Sequence, residues 1–201
     1  MRADARRNYQ QLLEQARIAF AEFGVDASLD EIARRAGVAS GTLYRHFPTR
    51  LDLIERVLTE QISELVRCGR ELLVAEDEFD ALSTWLRAVL MHALTYRGLS
   101  AAVMNSALGG ENVAVSTWHA ELIEVGGALL ARARESGVVA AAANEADVLR
   151  MVGGIAWAAQ DGSAQADRLL ALLMNGLRAT GTAAIPHEVV QSTITDPDIT
   201  G

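Results

Sequence analysis

The sequence has one cysteine, three prolines, few aromatic residues and no lysine. Because Cys68 is alone, no internal disulfide can form, which fits a reducing compartment such as the cytoplasm. Aromatic residues make up only 5% of the chain, while alanine, leucine, glutamate and arginine are abundant. This composition favours helix. We therefore expect an all-α protein located in the cytoplasm.

Long apolar segments are also missing. The run 169–177 is bracketed by Arg168 and Arg178, and it is far shorter than the roughly 20 residues that span a bilayer. The basic start, MRADARRNYQ, is not followed by the apolar core of a signal peptide. We expect no association with a membrane.

The net charge of −8 argues against a nucleic-acid partner, but the charge is unevenly distributed. Residues 1–56 contain nine Arg and eight Asp or Glu, whereas the remainder contains nine Arg and eighteen acidic residues. The local placement of charge is therefore more informative than the total. The contrast between the two parts indicates two modules.

Helical periodicity extends over most of the chain. A first helix is predicted over 3–24, ending at Gly24, and a second begins at Ser28, which forms a capping box with Glu31. A short third helix follows Gly37 and is broken by Pro48. Later helices are predicted over 50–74, 78–97, 100–108, 112–136, 145–161 and 163–180. We expect a three-helix helix-turn-helix domain (1–48), a larger helical ligand-binding and dimerisation domain (49–181) and a tail of uncertain order (182–201).

The segment GVASGTLYRHF, residues 37–47, combines apolar and polar residues in an unusual way. Leu43 and Phe47 are four residues apart and would face the core. The polar side chains and a glycine then face outward, as expected of a recognition helix in the major groove. The predicted DNA contacts on this helix are Ser40, Gly41, Thr42, Tyr44, Arg45 and His46. Ser28 and Arg50 flank it and are predicted to contact phosphates.

The stretch FAEFGVDASLDEIARRAGVASGTLYRHFPTRLDLIERVL, residues 20–58, resembles the DNA-binding signature of the TetR/AcrR transcriptional regulators. The resemblance covers about forty residues and includes IARRAGV, GTLYRHF and RLDLIERV. It implies an operator-binding helix-turn-helix, followed by a helical domain that binds a small molecule. The sequence departs from the family's usual pattern at Ala39 and Ser40, and it has Arg50 where the family usually has lysine.

The second domain carries scattered aromatic, histidine and methionine side chains, among which the resemblance implies a ligand cavity. Ordinary core packing is the alternative for each of them. The candidates are Trp85, His92, Tyr96, Met104, Trp118, His119 and Trp157. No Cys or His spacing typical of a metal site occurs, nor does a nucleophile or phosphate-binding motif. We therefore expect no cofactor, no metal and no enzymatic activity.

The last two predicted helices are strongly apolar, the final one on nearly its whole circumference. A helix that is apolar all round must be buried on several sides, so one side is expected to meet a second copy of the chain. The resemblance implies the same, because family members commonly dimerise through a bundle of their last two helices. The predicted dimer residues are Met151, Val152, Ile155, Leu169, Leu173 and Leu177.

These observations predict a homodimeric, ligand-responsive regulator, most simply a repressor, that binds a palindromic operator in double-stranded DNA and is released by a small-molecule effector. Two alternatives stay open at this point. The first is a helical enzyme or small-molecule carrier in which the N-terminal helices are only scaffold. The second is a protein-interaction adaptor that uses the apolar face of 145–180.

Overall fold

The computed structural model describes residues 2–99 and 113–179, except for the side chains of 2–5, 113–116 and 119. The helix predicted over 100–108 and the tail 182–201 lie outside these ranges. The described elements are α1 (Arg2–Phe23), α2 (Leu29–Arg35), α3 (Ser40–His46), α4 (Arg50–Leu72), α5 (Glu78–Thr95), α6 (Val113–Glu135), α7 (Glu145–Ala158) and α8 (Ser163–Leu177). The prediction of an all-α fold is confirmed.

The helix ends follow local chemistry that the sequence shows. Gly24 (φ 60°) and Gly37 (φ 70°) lie in the left-handed region that glycine tolerates, and they follow α1 and α2. Thr49 caps α4 in a reciprocal box: its hydroxyl accepts from the Asp52 amide, and the Asp52 carboxylate accepts from the Thr49 amide. Pro48 lies between α3 and this cap, so the two helices cannot merge.

The first three helices share a core that is continuous with that of α4. Leu12, Phe20, Ile32, Leu43 and Leu53 are all buried in it. α1 packs on both α2 and α4, and α2 packs on α3. The short helices α2 and α3 therefore owe their stability to this shared core, because isolated helices of their length are unstable in water.

The larger part of the fold is built around Trp85 of α5. Its indole N–H donates to the Leu65 carbonyl of α4 at 2.9 Å. Gly69 of α4 and Gly126 of α6 face the indole where side chains would clash with it. α4, α5 and α6 all pack on one another here, and α7 lies against both α5 and α6.

Arginine side chains from distant positions donate hydrogen bonds to backbone carbonyls at or just beyond the ends of two helices. Arg132 of α6 donates to the Leu72 and Ala75 carbonyls after α4, and it pairs with Glu78. Arg97 donates to the Ala156 and Ala159 carbonyls at the end of α7. Guanidinium groups suit this task because they present several fixed donors. None of the helices in the two described ranges has the length and hydropathy that crossing a bilayer requires.

Candidate nucleic-acid interface

α2 and α3 form a helix-turn-helix unit whose turn is fixed by the backbone. The amide of Gly37 donates to the Arg34 carbonyl at 3.2 Å, and that of Val38 donates to the Ala33 carbonyl at 3.0 Å. This is the usual hydrogen-bond pattern at a helix end that is followed by a left-handed glycine. The turn places α3 across α2 as the sequence predicts.

The side chains of α3 divide sharply between core and solvent. Leu43 and Phe47 are buried, whereas the neighbouring Tyr44 is 45% exposed. Arg45, His46 and Gly41 are exposed, and Ser40 and Thr42 are half-buried. The residues predicted to contact DNA on this helix therefore lie on or beside one solvent-facing surface, with the apolar pair behind it.

The start of α3 is open to a close neighbour. Ala39 occupies the N-cap position and provides no side-chain hydrogen bond. A methyl group added at Gly41 would meet nothing within 4 Å. The protein's own packing therefore gives no reason for glycine at this exposed helical position, although glycine costs about 1 kcal/mol there relative to alanine. Close contact with the backbone of another molecule would explain the glycine.

The end of α3 is held by aromatic contacts with α1. The ring of Tyr9 meets His46 edge to face at 5.5 Å and stacks on Phe47 at 5.7 Å. His46 thus keeps an exposed imidazole in a defined position. Tyr9 therefore helps to hold the end of α3. The sequence does not predict this role, because Tyr9 is distant in sequence from His46 and Phe47.

The arginines of α2 and α3 have different surroundings. Arg34 and Arg35 both donate to the Glu31 carboxylate, and these hydrogen bonds lower the pKa of Glu31 well below its usual value. Arg45, by contrast, has no hydrogen-bond or ion-pair partner within the described residues. Its guanidinium is therefore available to an external acceptor such as a phosphate or a guanine edge.

Two predicted phosphate contacts have partners inside the protein. The Ser28 hydroxyl accepts from the Glu31 amide at 3.3 Å and caps α2. Only half of the predicted capping box forms, because the Glu31 side chain turns to Arg34 and Arg35. Nη1 of Arg50 donates to the Val25 carbonyl at 2.8 Å and also to the Ala27 carbonyl.

The candidate ligand residues fall into different environments. Trp85 is fully buried and packs against Gly69 and Gly126, as core packing predicts, and its role as a ligand contact stays a prediction. Trp157 is 74% exposed on α7, so it cannot line an internal cavity of a single subunit.

Other candidates stay compatible with a ligand site. The rings of His92 and Tyr96 lie 5.0 Å apart at the end of α5. Burial lowers the pKa of His92 to about 4, so its imidazole is neutral at neutral pH. Trp118 of α6 is buried. Met104 lies outside the described residues, as does the side chain of His119.

The predicted dimer residues also differ in their burial. Val152 and Leu173 are buried in the core of their own subunit, which corrects their assignment to a dimer face. Ile155, Leu169 and Leu177 are half-buried, and Met151 is 54% exposed. An all-round apolar pattern cannot show which side a helix turns inward, and this is why the sequence selected residues on both sides.

The outward sides of α7 and α8 nevertheless expose several large apolar side chains, and we call these two sides the α7–α8 face. Its large exposed side chains are Met151, Trp157 and Leu172. The same two helices carry exposed glycines at which an added methyl group would meet nothing within 4 Å, namely Gly153, Gly154 and Gly176. Trp157 and Leu172 are not among the residues predicted for this face, although both belong to the apolar pattern of these helices.

Two family models match the chain. The model described as bacterial regulatory proteins, tetR family, matches residues 12–57, which include α2, α3 and the start of α4. The model described as transcriptional regulator SbtR-like, C-terminal domain, matches residues 77–179. The two matches together cover most of the described residues.

Two solved structures resemble this chain over nearly their whole length. A TetR transcriptional regulator from Streptomyces coelicolor is 35% identical with a TM-score of 0.71, and the match covers 85% of this chain and 98% of the other. A TetR transcription regulatory protein from Mycobacterium vanbaalenii is 33% identical with a TM-score of 0.65, covering 88% and 98%.

Curated relatives match over a shorter range. A helix-turn-helix-type transcriptional regulator from Staphylococcus aureus is 28% identical over 113 residues, which is 56% of this chain. The match covers 60% of that relative's length. The helix-turn-helix geometry, the two family models and the full-length structural matches agree, and this chain therefore belongs to the TetR family of DNA-binding transcriptional regulators.

Proposed function

We propose that this chain is a ligand-responsive repressor that binds a palindromic operator as a homodimer and is released by a small molecule. The observation that carries the proposal is the division of α3, in which Leu43 and Phe47 are buried and Tyr44 and Arg45 are exposed. A helix with this division can enter the major groove while its apolar side stays in the core.

The exposed side of α3 would supply the contacts with DNA. Arg45 is suited to a bidentate contact with guanine or to a phosphate, since the described residues offer it no internal partner. Tyr44 and His46 are exposed and would donate to phosphates, contacts that would fix the register of the helix on the duplex. Ser40 and Thr42 offer short hydroxyls, and Gly41 allows the DNA backbone to approach closely.

Dimerisation is supported by the α7–α8 face. Helical glycines cost about 1 kcal/mol each relative to alanine, and packing within the subunit does not require Gly153, Gly154 or Gly176. Close approach of a second subunit would explain them. Two α3 helices spaced by one turn of DNA, about 34–36 Å, would then read a palindrome.

The effector would bind in the larger helical part. His92, Tyr96 and Trp118 remain its candidate residues, together with Trp85, Met104 and His119. A small molecule that favours one arrangement of α4 relative to α1 would change the spacing of the two α3 helices and lower operator affinity. Because its target is chromosomal DNA, we place the protein in the cytoplasm.

The proposal is tested by selecting duplexes from a random pool and measuring their affinity by fluorescence anisotropy. We expect an enriched palindrome, with an affinity that falls steeply as salt rises from about 50 to 200 mM. A screen of small apolar and aromatic compounds against the bound complex should then give at least one that lowers the anisotropy. If the selected duplexes bind no better than the starting pool, the operator-binding role is wrong.

A further inference from the structure

We propose that Arg50 is a positioning residue for DNA binding. Its guanidinium holds the turn between α1 and α2, and thereby sets the orientation of α2 and α3. The inference rests on the proposed contacts of α3 with DNA. It differs from the sequence expectation, in which Arg50 itself grips a phosphate.

The base of the Arg50 side chain is rigid. Arg50 is the first residue of α4, directly after the Thr49 cap. The Thr49 amide donates to the Asp52 carboxylate at 2.8 Å, and the Asp52 amide donates to the Thr49 hydroxyl at 3.1 Å. These reciprocal bonds fix the first turn of α4, so the direction in which Arg50 leaves the helix is also fixed.

The far end of the side chain reaches back along the sequence. Nη1 of Arg50 donates to the carbonyls of Val25 and Ala27, which lie in the short turn after α1. One guanidinium nitrogen thus bridges two carbonyls that are separated by a single residue. The contact is half-buried, so water competes with it less than it would at an exposed pair.

The turn that Arg50 holds leads directly into α2. Ala27 and Leu29 are buried in the shared core, with Ser28 exposed between them. A shift of this turn would therefore move the start of α2. Because α2 packs on α3, α3 would move with it. Small displacements of a recognition helix matter, since base contacts depend on hydrogen-bond geometry.

Arginine suits this position better than lysine. Both side chains have enough hydrogens for two carbonyls, but arginine is longer and its planar guanidinium holds its donors in a fixed arrangement, whereas the lysine ammonium is a single rotating group on a shorter stem. The remaining N–H groups of Arg50 stay able to reach a phosphate, so geometry alone does not separate the two roles. The salt dependence of binding does separate them, because only a contact with phosphate releases counterions.

The first experiment uses the full-length protein without DNA. Hydrogen exchange is measured for wild type, Arg50→Lys and Arg50→Ala. We expect the amides within 24–29 to exchange about fivefold to thirtyfold faster in both variants, the factor that one or two lost hydrogen bonds represent. Amides of α7 serve as the internal control and should not change. Unchanged exchange within 24–29 would overturn the inference whether or not an operator is known.

The second experiment uses the selected duplex, with Arg45→Ala as the matched control. We expect Arg50→Ala and Arg50→Lys to lower affinity about tenfold, with the same slope of log affinity against log salt as wild type. Loss of a phosphate contact should instead reduce the magnitude of that slope by about 0.9 for each subunit, and Arg45→Ala shows this reduction where Arg45 binds phosphate and not guanine.

The outcomes are distinct. If Arg50→Ala reduces the magnitude of the slope by about 0.9 for each subunit, or if Arg50→Lys keeps full affinity, Arg50 is a phosphate contact and the inference is wrong. If wild type itself selects no duplex, the proposed operator function fails, and the exchange experiment still decides whether Arg50 holds the turn.

Discussion

At the scale of single residues, the neighbours Leu43 and Tyr44 give the sharpest contrast. Leu43 is fully buried, and Tyr44 is exposed. We expect Tyr44→Ala to lower operator affinity about tenfold or more with little change in melting temperature, because it removes a contact that only DNA completes. Anisotropy and a thermal melt on the same sample measure both effects.

Leu43→Ala is the control for this prediction. It should lower the free energy of unfolding by about 2–5 kcal/mol, because it leaves a cavity in the core shared by α1, α3 and α4. An unchanged operator affinity for Tyr44→Ala would show that this side of α3 does not face the duplex.

His92 predicts a specific pH dependence of stability. Burial lowers its pKa from 6.5 to about 4, so the unfolded chain takes up a proton at a higher pH than the folded protein does. The free energy of unfolding should therefore fall as the pH drops from 6.5 towards 4, by about 3 kcal/mol at most.

The variant His92→Gln removes this titrating group. We expect urea denaturation to show a weaker dependence on pH between 6.5 and 5 in this variant than in wild type. Equal slopes for wild type and His92→Gln would show that the imidazole is not buried as a neutral group.

At the scale of helices, local chemistry made most boundaries predictable. Gly24, Gly37, Pro48 and the Thr49 cap each act within a few residues, so the sequence shows them directly. The division of α3 was equally accessible, because apolar residues four apart must share one side of a helix.

Features that depend on distant residues were not predictable in this way. The bonds from Arg50 to the α1–α2 turn and from Arg97 to the end of α7 join positions tens of residues apart. No local pattern marks them. The inward sides of α7 and α8 were also ambiguous, since apolar residues occur all round α8, and only packing shows that Leu173 faces inward and Leu172 outward.

The packing around Trp85 predicts an unusual cost for a small substitution. A methyl group added at Gly69 would lie 2.6 Å from Trp85 Nε1 and would also overlap Val125. Overpacking of this kind costs about 1–3 kcal/mol, which outweighs the gain of about 1 kcal/mol in helix propensity. We expect Gly69→Ala to lower stability in chemical denaturation.

Gly98→Ala is the matched control for Gly69→Ala, because a methyl group added there meets nothing within 4 Å. It should leave stability unchanged or raise it slightly. If Gly69→Ala is as stable as Gly98→Ala, then α4, α5 and α6 do not pack as closely around the indole as the structure shows.

At the scale of the whole molecule, the proposed pairing of two α3 helices depends on contact between subunits through the α7–α8 face. Leu172 of α8 is 68% exposed in the single subunit, and Met151 and Trp157 of α7 are exposed as well. A charge placed at the centre of a closely packed apolar interface is costly to bury. We therefore expect Leu172→Glu to halve the mass that light scattering reports for wild type.

Val74→Glu separates this effect from the general consequence of adding a charge. Val74 is 86% exposed and lies in the turn between α4 and α5, away from the α7–α8 face. This variant should keep the mass of wild type in light scattering and the affinity of wild type for the selected palindrome. Leu172→Glu should bind that palindrome no better than a duplex with one half-site, because each monomer carries only one α3. If Leu172→Glu stays dimeric and keeps its preference for the palindrome, the two subunits meet through some other surface.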